Sequence, residues 1–367
     1  MNRLPKLLLL LTAAAVLLAL FCAGTLYVIS GGQPVDYVQT NLIRLSLSTR
    51  EDDLNRAVSS DTTPVRFTVN PGDSPRAIAS RLFEAGLIHD QQLFVDYVRA
   101  YDIDVQLEAG TYFLNKTQTI PVIAETLTDS RNSFIPFRIL EGWRMEEIAD
   151  VIDQNPLFGF TGDDFLAVVG RGANIDPDFA EQIGLPPGAS LEGFLFPNTY
   201  QLPPDITPAM LRDTLIEEFL SQVGSSAFVQ AEQEGLTFYE LVTLASIVQR
   251  EAVHREEDPM VASVYRNRLD INMKLDADPT VQYGLGREGN WWPRITQSDY
   301  TTTISPYNTY LNEGLPPGPI ANPGLSAIRA ALDPAESEYY YFQADCGGSG
   351  YHNFTQTYAE HLANSCF

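Results

Sequence analysis

Glu251 lies near the end of a stretch, LTFYELVTLASIVQREAV, in which a carboxylate stands beside apolar residues at helical spacing. At about 100° per residue, Leu241, Leu244, Ala245, Val248 and Ala252 share one face, Glu251 lies at its edge, and Arg250 points the opposite way. A carboxyl held against apolar surface loses hydration of its charged form, so its pKa rises and it becomes a proton donor near neutral pH. The same spacing also describes a solvated edge glutamate paired with a nearby arginine. Periodicity alone leaves both readings open. Other chemistries have less to rest on. His89, His254, His352 and His361 show no H-E-x-x-H spacing, and Cys346 and Cys366 are not a C-x-x-C pair, so neither a metal site nor a cofactor is expected.

The elements that must position Glu251 are partly marked. Thr237 and Glu240 form a T-x-x-E capping box that starts its helix, which makes Glu240 a cap rather than a catalyst. Asp258-Pro259 starts a further helix through Val261, Val264, Tyr265 and Leu269. From Gly188 onward the loops SLEGFLFPNTYQLPP, LDADPTVQYGLG and SPYNTYLNEGLPPGPIANPG are rich in Pro, Gly, Asn and Tyr. Aromatic faces beside amides are the combination that sugars require, and the same composition suits ordered loops with tyrosines filling gaps.

The expected fold class is α+β: an N-terminal transmembrane helix, LysM-like small α/β modules, then a mixed α+β catalytic domain. The boundaries are 1–30 for the cytoplasmic N-terminus and transmembrane helix, 31–63 for a polar spacer, 64–133 for a first small module, 134–187 for a second module or connector, and 188–367 for the catalytic domain. Leu7 to Ile29 holds no charged residue and follows Arg3 and Lys6. At 1.5 Å per residue it covers roughly 34 Å, enough for a bilayer core, and the basic end stays in the cytoplasm. A cleaved signal peptide competes, although its apolar region usually runs about 7–15 residues. The first module reads as strand VRFTV, turn Asn70-Pro71-Gly72-Asp73, two helices and a strand near Ala109–Leu114. That order resembles LysM modules, which bind N-acetylglucosamine-containing glycans; a plain spacing module shows the same pattern. A net charge of −24 argues against nucleic acid and anionic lipid surfaces as partners, since both would repel it. In an oxidising exterior Cys346 and Cys366 form a possible disulfide, with two free thiols as the alternative.

Seven segments in order, LEGFLFPNTY, LASIVQREA, ASVYRNRL, LDADPTVQYGLG, SPYNTYLNEGLPPGPIANPGLSAIRAALDPA, YYYFQAD and HNFTQTYAEH, resemble the YceG-like endolytic murein transglycosylases. The resemblance implies a plasma-membrane enzyme, its catalytic domain outside the cytoplasm, that cleaves nascent peptidoglycan glycan strands internally, with cell-wall synthases as possible partners. It implies that Glu251 is the catalytic acid, since the position of Gln249, often Glu in the family, carries no carboxylate here. It also makes Asp278, Gln282, Tyr307, Asn308, Tyr310 and Asn322 candidate substrate-binding residues. Glu192, in LEGFLFPNTY, either positions substrate or bonds backbone amides in a turn. The chain departs from the family pattern at Asn198 and around Cys346 to Tyr351.

Overall fold

The computed structural model describes residues 4–366, which divide into two compact units, one ending at Phe134 and the other beginning at Ile135. In the first, α1 (Leu4–Ile29), α2 (Pro34–Ser48) and α3 (Glu51–Leu54) precede β1 (Val65–Val69), α4 (Pro75–Glu84), α5 (Gln91–Ala100), β2 (Gly110–Leu114) and α6 (Ile120–Thr126). The strands pair antiparallel, Val65 opposite Leu114, with Phe67 and Val69 turned inward and Arg66 and Thr68 outward. Ser74 caps α4 by accepting from the Ala77 N–H at 3.3 Å, and Asp90 caps α5 by accepting from the Leu93 N–H at 3.0 Å. Between sheet and helices lie Ile78, Leu82, Phe94, Val98 and Tyr112.

Leu47 and Leu54 join that core and Ile43 packs against it, so the expectation of a polar spacer over 31–63 is corrected. The segment is helical over α2 and α3, with Ile43, Leu47 and Leu54 turned to the core, and only its last residues run irregularly into β1. Over the residues whose side chains are described, no single helix is long and apolar enough to cross a membrane, and one bent pair, Val16–Ile29 with Pro34–Ser48, passes by length and composition. Arg3, part of the basis for a cytoplasmic N-terminus, lies outside the described residues.

The second unit contains β3 (Ile135–Arg138), α7 (Met145–Gln154), α8 (Gly162–Val169), α9 (Pro177–Ile183), β4 (Thr199–Leu202), α10 (Pro208–Val223), α11 (Ser226–Gln233), α12 (Phe238–Glu251), α13 (Asp258–Asp270), α14 (Asp278–Leu285), α15 (Asp299–Thr302), α16 (Leu325–Leu332), β5 (Tyr341–Ala344), β6 (His352–Thr355) and α17 (Tyr358–Ala363). Strand β3 pairs with β4, Ile135 opposite Leu202. A separate module over 134–187 is therefore not what forms: its strand is completed by a strand of the next segment, and both belong to one unit. The class is α+β, with three two-stranded antiparallel sheets among the described residues.

Helix α12 runs through the middle of this unit. Its capping box forms, with Glu240 accepting from the Thr237 N–H at 2.8 Å and Thr237 Oγ1 accepting from the Glu240 N–H at 3.2 Å. The sequence suggested one apolar face; instead every residue from Phe238 to Gln249 except Glu240 is buried. A helix covered on all sides is a core helix, and its polar members are satisfied locally: Thr243 donates to the Tyr239 carbonyl at 2.8 Å and Ser246 to the Thr243 carbonyl at 2.7 Å.

Candidate active site

Glu251 is the last residue of α12, and Ala252 leaves the helix in an extended conformation, so the carboxyl stands where the core helix ends. Pro259, near the start of α13, helps send the chain back alongside α12. That return places Tyr265, fully buried, so that its hydroxyl donates to Glu251 Oε1 at 2.6 Å. Burial raises the Glu251 pKa from 4.5 to about 7, against the opposing hydrogen bond from Tyr265 and with Asp278 adding to the rise. Burial and the neighbouring Glu251 push Tyr265 well above its ordinary value, so it remains a donor throughout the working range.

One helical turn beyond Tyr265, Arg268 reaches two backbone segments. Its Nε donates to the Tyr340 carbonyl at 2.6 Å and its Nη1 to the Leu275 carbonyl at 2.6 Å. The guanidinium thereby pins the β5 approach and the α13–α14 loop to the helix that carries Tyr265. Asp278, at the first turn of α14, accepts from the Tyr310 hydroxyl at 2.6 Å and from the Tyr300 hydroxyl at 3.3 Å. Those two rings stack at 4.2 Å. Asn308 holds the loop between them: its Nδ2 donates to the Thr303 carbonyl at 2.9 Å and its Oδ1 accepts from the Tyr310 N–H at 2.9 Å.

Glu251, Tyr265, Asp276, Asp278, Tyr300 and Tyr310 line a cavity of about 480 Å³, together with Tyr341, Phe342, His352, Tyr358 and His361. Its size lies within the range of small-ligand sites, and tyrosine faces beside carboxylates suit a polyhydroxylated ring. His352 is fixed through Glu257, whose Oε2 lies 2.9 Å from Nδ1 and whose Oε1 accepts from the His352 N–H at 2.9 Å. The disulfide Cys346–Cys366, Cα atoms 5.4 Å apart, ties the tail after α17 to the loop after β5. A larger groove of about 800 Å³ elsewhere in this unit lacks a comparable acid. There Glu240 serves the capping box and Glu234 lies 3.5 Å from Arg266.

The structure brings Asp278 and Tyr310 into the cavity with Glu251 and leaves the other sequence-derived candidates outside its lining. Glu192, fully buried, accepts from the Met145 N–H at 3.1 Å, at the start of α7, and from Asn322 Nδ2 at 2.9 Å. Burial, with Glu146 adding to it, raises the Glu192 pKa well above the ordinary carboxylate range. Asn322 Oδ1 accepts from the N–H groups of Gly193 and Leu195 at 2.9 and 3.0 Å. Gly193 has a left-handed φ of +92°, and a Cβ there would come within 2.6 Å of Pro319. The Glu192–Asn322 pair is thus a structural knot. Asn308 supports the wall from behind. Gln282 donates to the Pro293 carbonyl at 3.0 Å, and Tyr307 packs on Tyr283 at 4.6 Å while its hydroxyl accepts from Arg171 at 3.2 Å. Gln249 accepts from the Gly324 N–H at 2.8 Å as a core packing group. Asp276 and Asp278 share the cavity with Glu251, and Tyr265 and Arg268, both in ASVYRNRL, are site residues that the sequence did not mark as such. The signal for Tyr265 was its place on a helix turning straight back from Glu251.

Residues 67–366 match the model of the YceG-like family. The chain is 32% identical over 313 residues to the endolytic murein transglycosylase of Bacillus subtilis strain 168, an alignment that covers 82% of this chain and 83% of that protein. It is 30% identical over 305 residues to the endolytic murein transglycosylase of Streptococcus pneumoniae serotype 2 strain D39, covering 77% of this chain and 54% of that longer protein. The crystal structure of a yceG-like protein from Listeria monocytogenes superposes with a TM-score of 0.54 at 28% identity, covering 83% of this chain and 99% of the other.

Proposed function

Because this chain belongs to the YceG-like family, we propose that it is a membrane-anchored endolytic transglycosylase of murein, cleaving between N-acetylmuramic acid and N-acetylglucosamine within nascent glycan strands. The observation that carries this reading is Glu251, a carboxyl with its pKa near 7 held by Tyr265 in a tyrosine-walled cavity. At neutral pH about half of such groups are protonated, which suits a group that must give a proton and take one back.

In the first step the Glu251 proton passes to the glycosidic oxygen, the muramyl C1–O bond breaks, and the bonding pair leaves with the N-acetylglucosamine O4. The muramyl C6 hydroxyl then attacks C1, closes a 1,6-anhydro ring, and returns its proton to Glu251. No water is consumed. A hydrolase would need a second carboxylate to activate water or to form a covalent intermediate. Asp278 has the position to be considered for that role, yet both its oxygens accept tyrosine hydroxyls, which supports closure by the sugar's own hydroxyl.

The 26-residue helix α1, about 39 Å long, supports a single anchor in the plasma membrane with the catalytic unit outside the cytoplasm. The strand–helix–helix–strand order from β1 to β2 supports a LysM-like glycan-holding role for the first unit. Cleavage of a growing strand would end its elongation, so a synthase extending the same strand is the natural partner.

The test is to incubate the full-length chain with uncrosslinked glycan strands and analyse the products by mass spectrometry. Internal fragments with 1,6-anhydro-muramyl ends, lost in Glu251→Gln, are expected. No cleavage by the parent would favour a non-catalytic glycan-binding scaffold, and reducing muramyl ends would mean hydrolysis, with Asp278 the first residue to replace.

A further inference from the structure

Helix α2 has two apolar faces, and only one of them is used by the fold. Ile43 and Leu47 pack into the first unit's core, while Arg44 Nε donates to the Ala100 carbonyl at 2.7 Å. Val35, Val38, Leu42 and Leu45 follow at spacings of three and four residues, within about 80° of one another on the far side. They are exposed: Val35 by 66%, Leu42 by 60% and Leu45 by 64%. The two charged residues of α2, Asp36 and Arg44, fall on the other half of the helix.

This bare face begins just after α1. Residues 30–33 make the corner, with Gly31 and Gly32 at left-handed φ values of 59° and 92°, and the Gly32 N–H donating to the Tyr27 carbonyl at 2.9 Å. Across it the axes of Val16–Ile29 and Pro34–Ser48 differ by 79°. With α1 along the membrane normal, α2 lies 90° − 79°, about 11°, from the membrane plane. Tyr27, Val28 and Ile29 are exposed at the end of α1, so apolar surface continues around the corner.

We propose that α2 lies in the membrane interface, its Val35, Val38, Leu42 and Leu45 face seated among the lipids of the extracytoplasmic leaflet. This rests on the anchoring reading of α1 and extends it. A helix with an apolar stripe, lying parallel to the bilayer, gains by burying that stripe at the headgroup boundary. The driving force is apolar. The stripe carries no cation, and the chain's net charge of −24 opposes attraction to anionic lipid, so binding is insensitive to salt. Since the opposite face of α2 is built into the first unit's core, the docked helix fixes that unit flat against the bilayer. That is the reverse of a spacer that provides reach.

The test uses the full-length chain with Cys22→Ala, the other two cysteines being bonded to each other, and reconstitution in phosphatidylcholine bilayers. Single cysteines at Leu18, Leu42, Leu45 and Ser48 carry a nitroxide, and collisions with oxygen and with a water-soluble nickel chelate are compared. Positions 42 and 45 are expected to favour oxygen several-fold over position 48, at shallow depth and equally at low and high salt. Labels at 42 and 45 as open to nickel as the one at 48 would overturn the proposal. So would shielding from both reagents, which would mean that protein, not lipid, covers the face. The label at 18 separates the two readings: if it too meets nickel, the anchor itself is wrong, whereas lipid at 18 with water at 42 removes only the interfacial helix.

Discussion

Glu251 combines two demands that conflict. A carboxyl whose folded pKa of about 7 exceeds its ordinary 4.5 binds its proton more tightly in the native state, so stability falls as pH rises from about 4.5 to 7 and stays lower above that. Glu251→Gln removes the charge but keeps an acceptor for Tyr265. It is expected to raise stability at pH 8 by on the order of 1–3 kcal/mol, less than a fully buried group would give, and to add nothing at pH 4. Thermal melts of parent and variant at the two pH values check this; a gain that is the same at both would remove the link to ionisation. Tyr265 works against burial, because its hydrogen bond favours the carboxylate. Tyr265→Phe should move the Glu251 pKa, and with it the alkaline limb of the kcat/KM profile, upward. The rate should fall about 10-fold or more, since the carboxylate formed in the transition state loses a charge-assisted donor. An alkaline limb that stays in place would show Tyr265 to be packing only. Glu251 was legible in sequence because an acid interrupts an apolar spacing. Its donor was not, because the Tyr265 hydroxyl meets it only after α13 has folded back.

Elements repeat that lesson. The start of α12 was legible from Thr237 and Glu240, whose reciprocal bonds are local, whereas its burial on all sides depends on α13 and α16 and leaves no mark on a helical wheel. Likewise β3 alternates buried and exposed residues as a strand does, but nothing in that short run announces its pairing with β4, more than sixty residues on. The Glu192–Asn322 knot shows how such distant joints hold, and how family-matched polar residues read as binding groups can prove to be structural. Asn322→Ala leaves the buried Gly193 and Leu195 N–H groups without their acceptor and Glu192 with the Met145 N–H but no side-chain donor, and should lower stability by about 2–4 kcal/mol. A chemical-denaturation midpoint unchanged from the parent would be incompatible with that role. Helix α17 is the opposite case: it has no buried residue, yet Tyr358 and His361 line the cavity. The Cys346–Cys366 bond closes a 20-residue separation, and its loss should reduce local stability by up to about 3 kcal/mol. Cys346→Ser with Cys366→Ser is therefore expected to speed hydrogen exchange across α17 and raise KM more than it lowers kcat. Unchanged exchange would mean that β5 and β6 hold the helix unaided.

At the scale of the whole chain, the two units differ in how the sequence announces them. The second was legible as a unit through its dense run of loops and helices, although its start lies at Ile135 rather than Gly188. The first is hard to read where α2 and α3 contribute to it, because short amphipathic stretches with one buried residue each look like linker until there is a core to receive them. Each unit has a hydrophobic core of its own, one centred on Ile78, Leu82 and Phe94, the other on α12 with Phe194 and Phe219. Separate cores give separate cooperative transitions. Leu82→Ala, at a fully buried position, should cost about 2–5 kcal/mol in the first unit, and Leu244→Ala a similar amount in the second. Calorimetry of the full-length chain is expected to show two transitions, each variant lowering one and leaving the other in place, with Glu251→Gln moving only the Leu244-sensitive transition, upward at pH 8. A single transition displaced by either leucine variant would show that the two units fold as one cooperative body rather than independently.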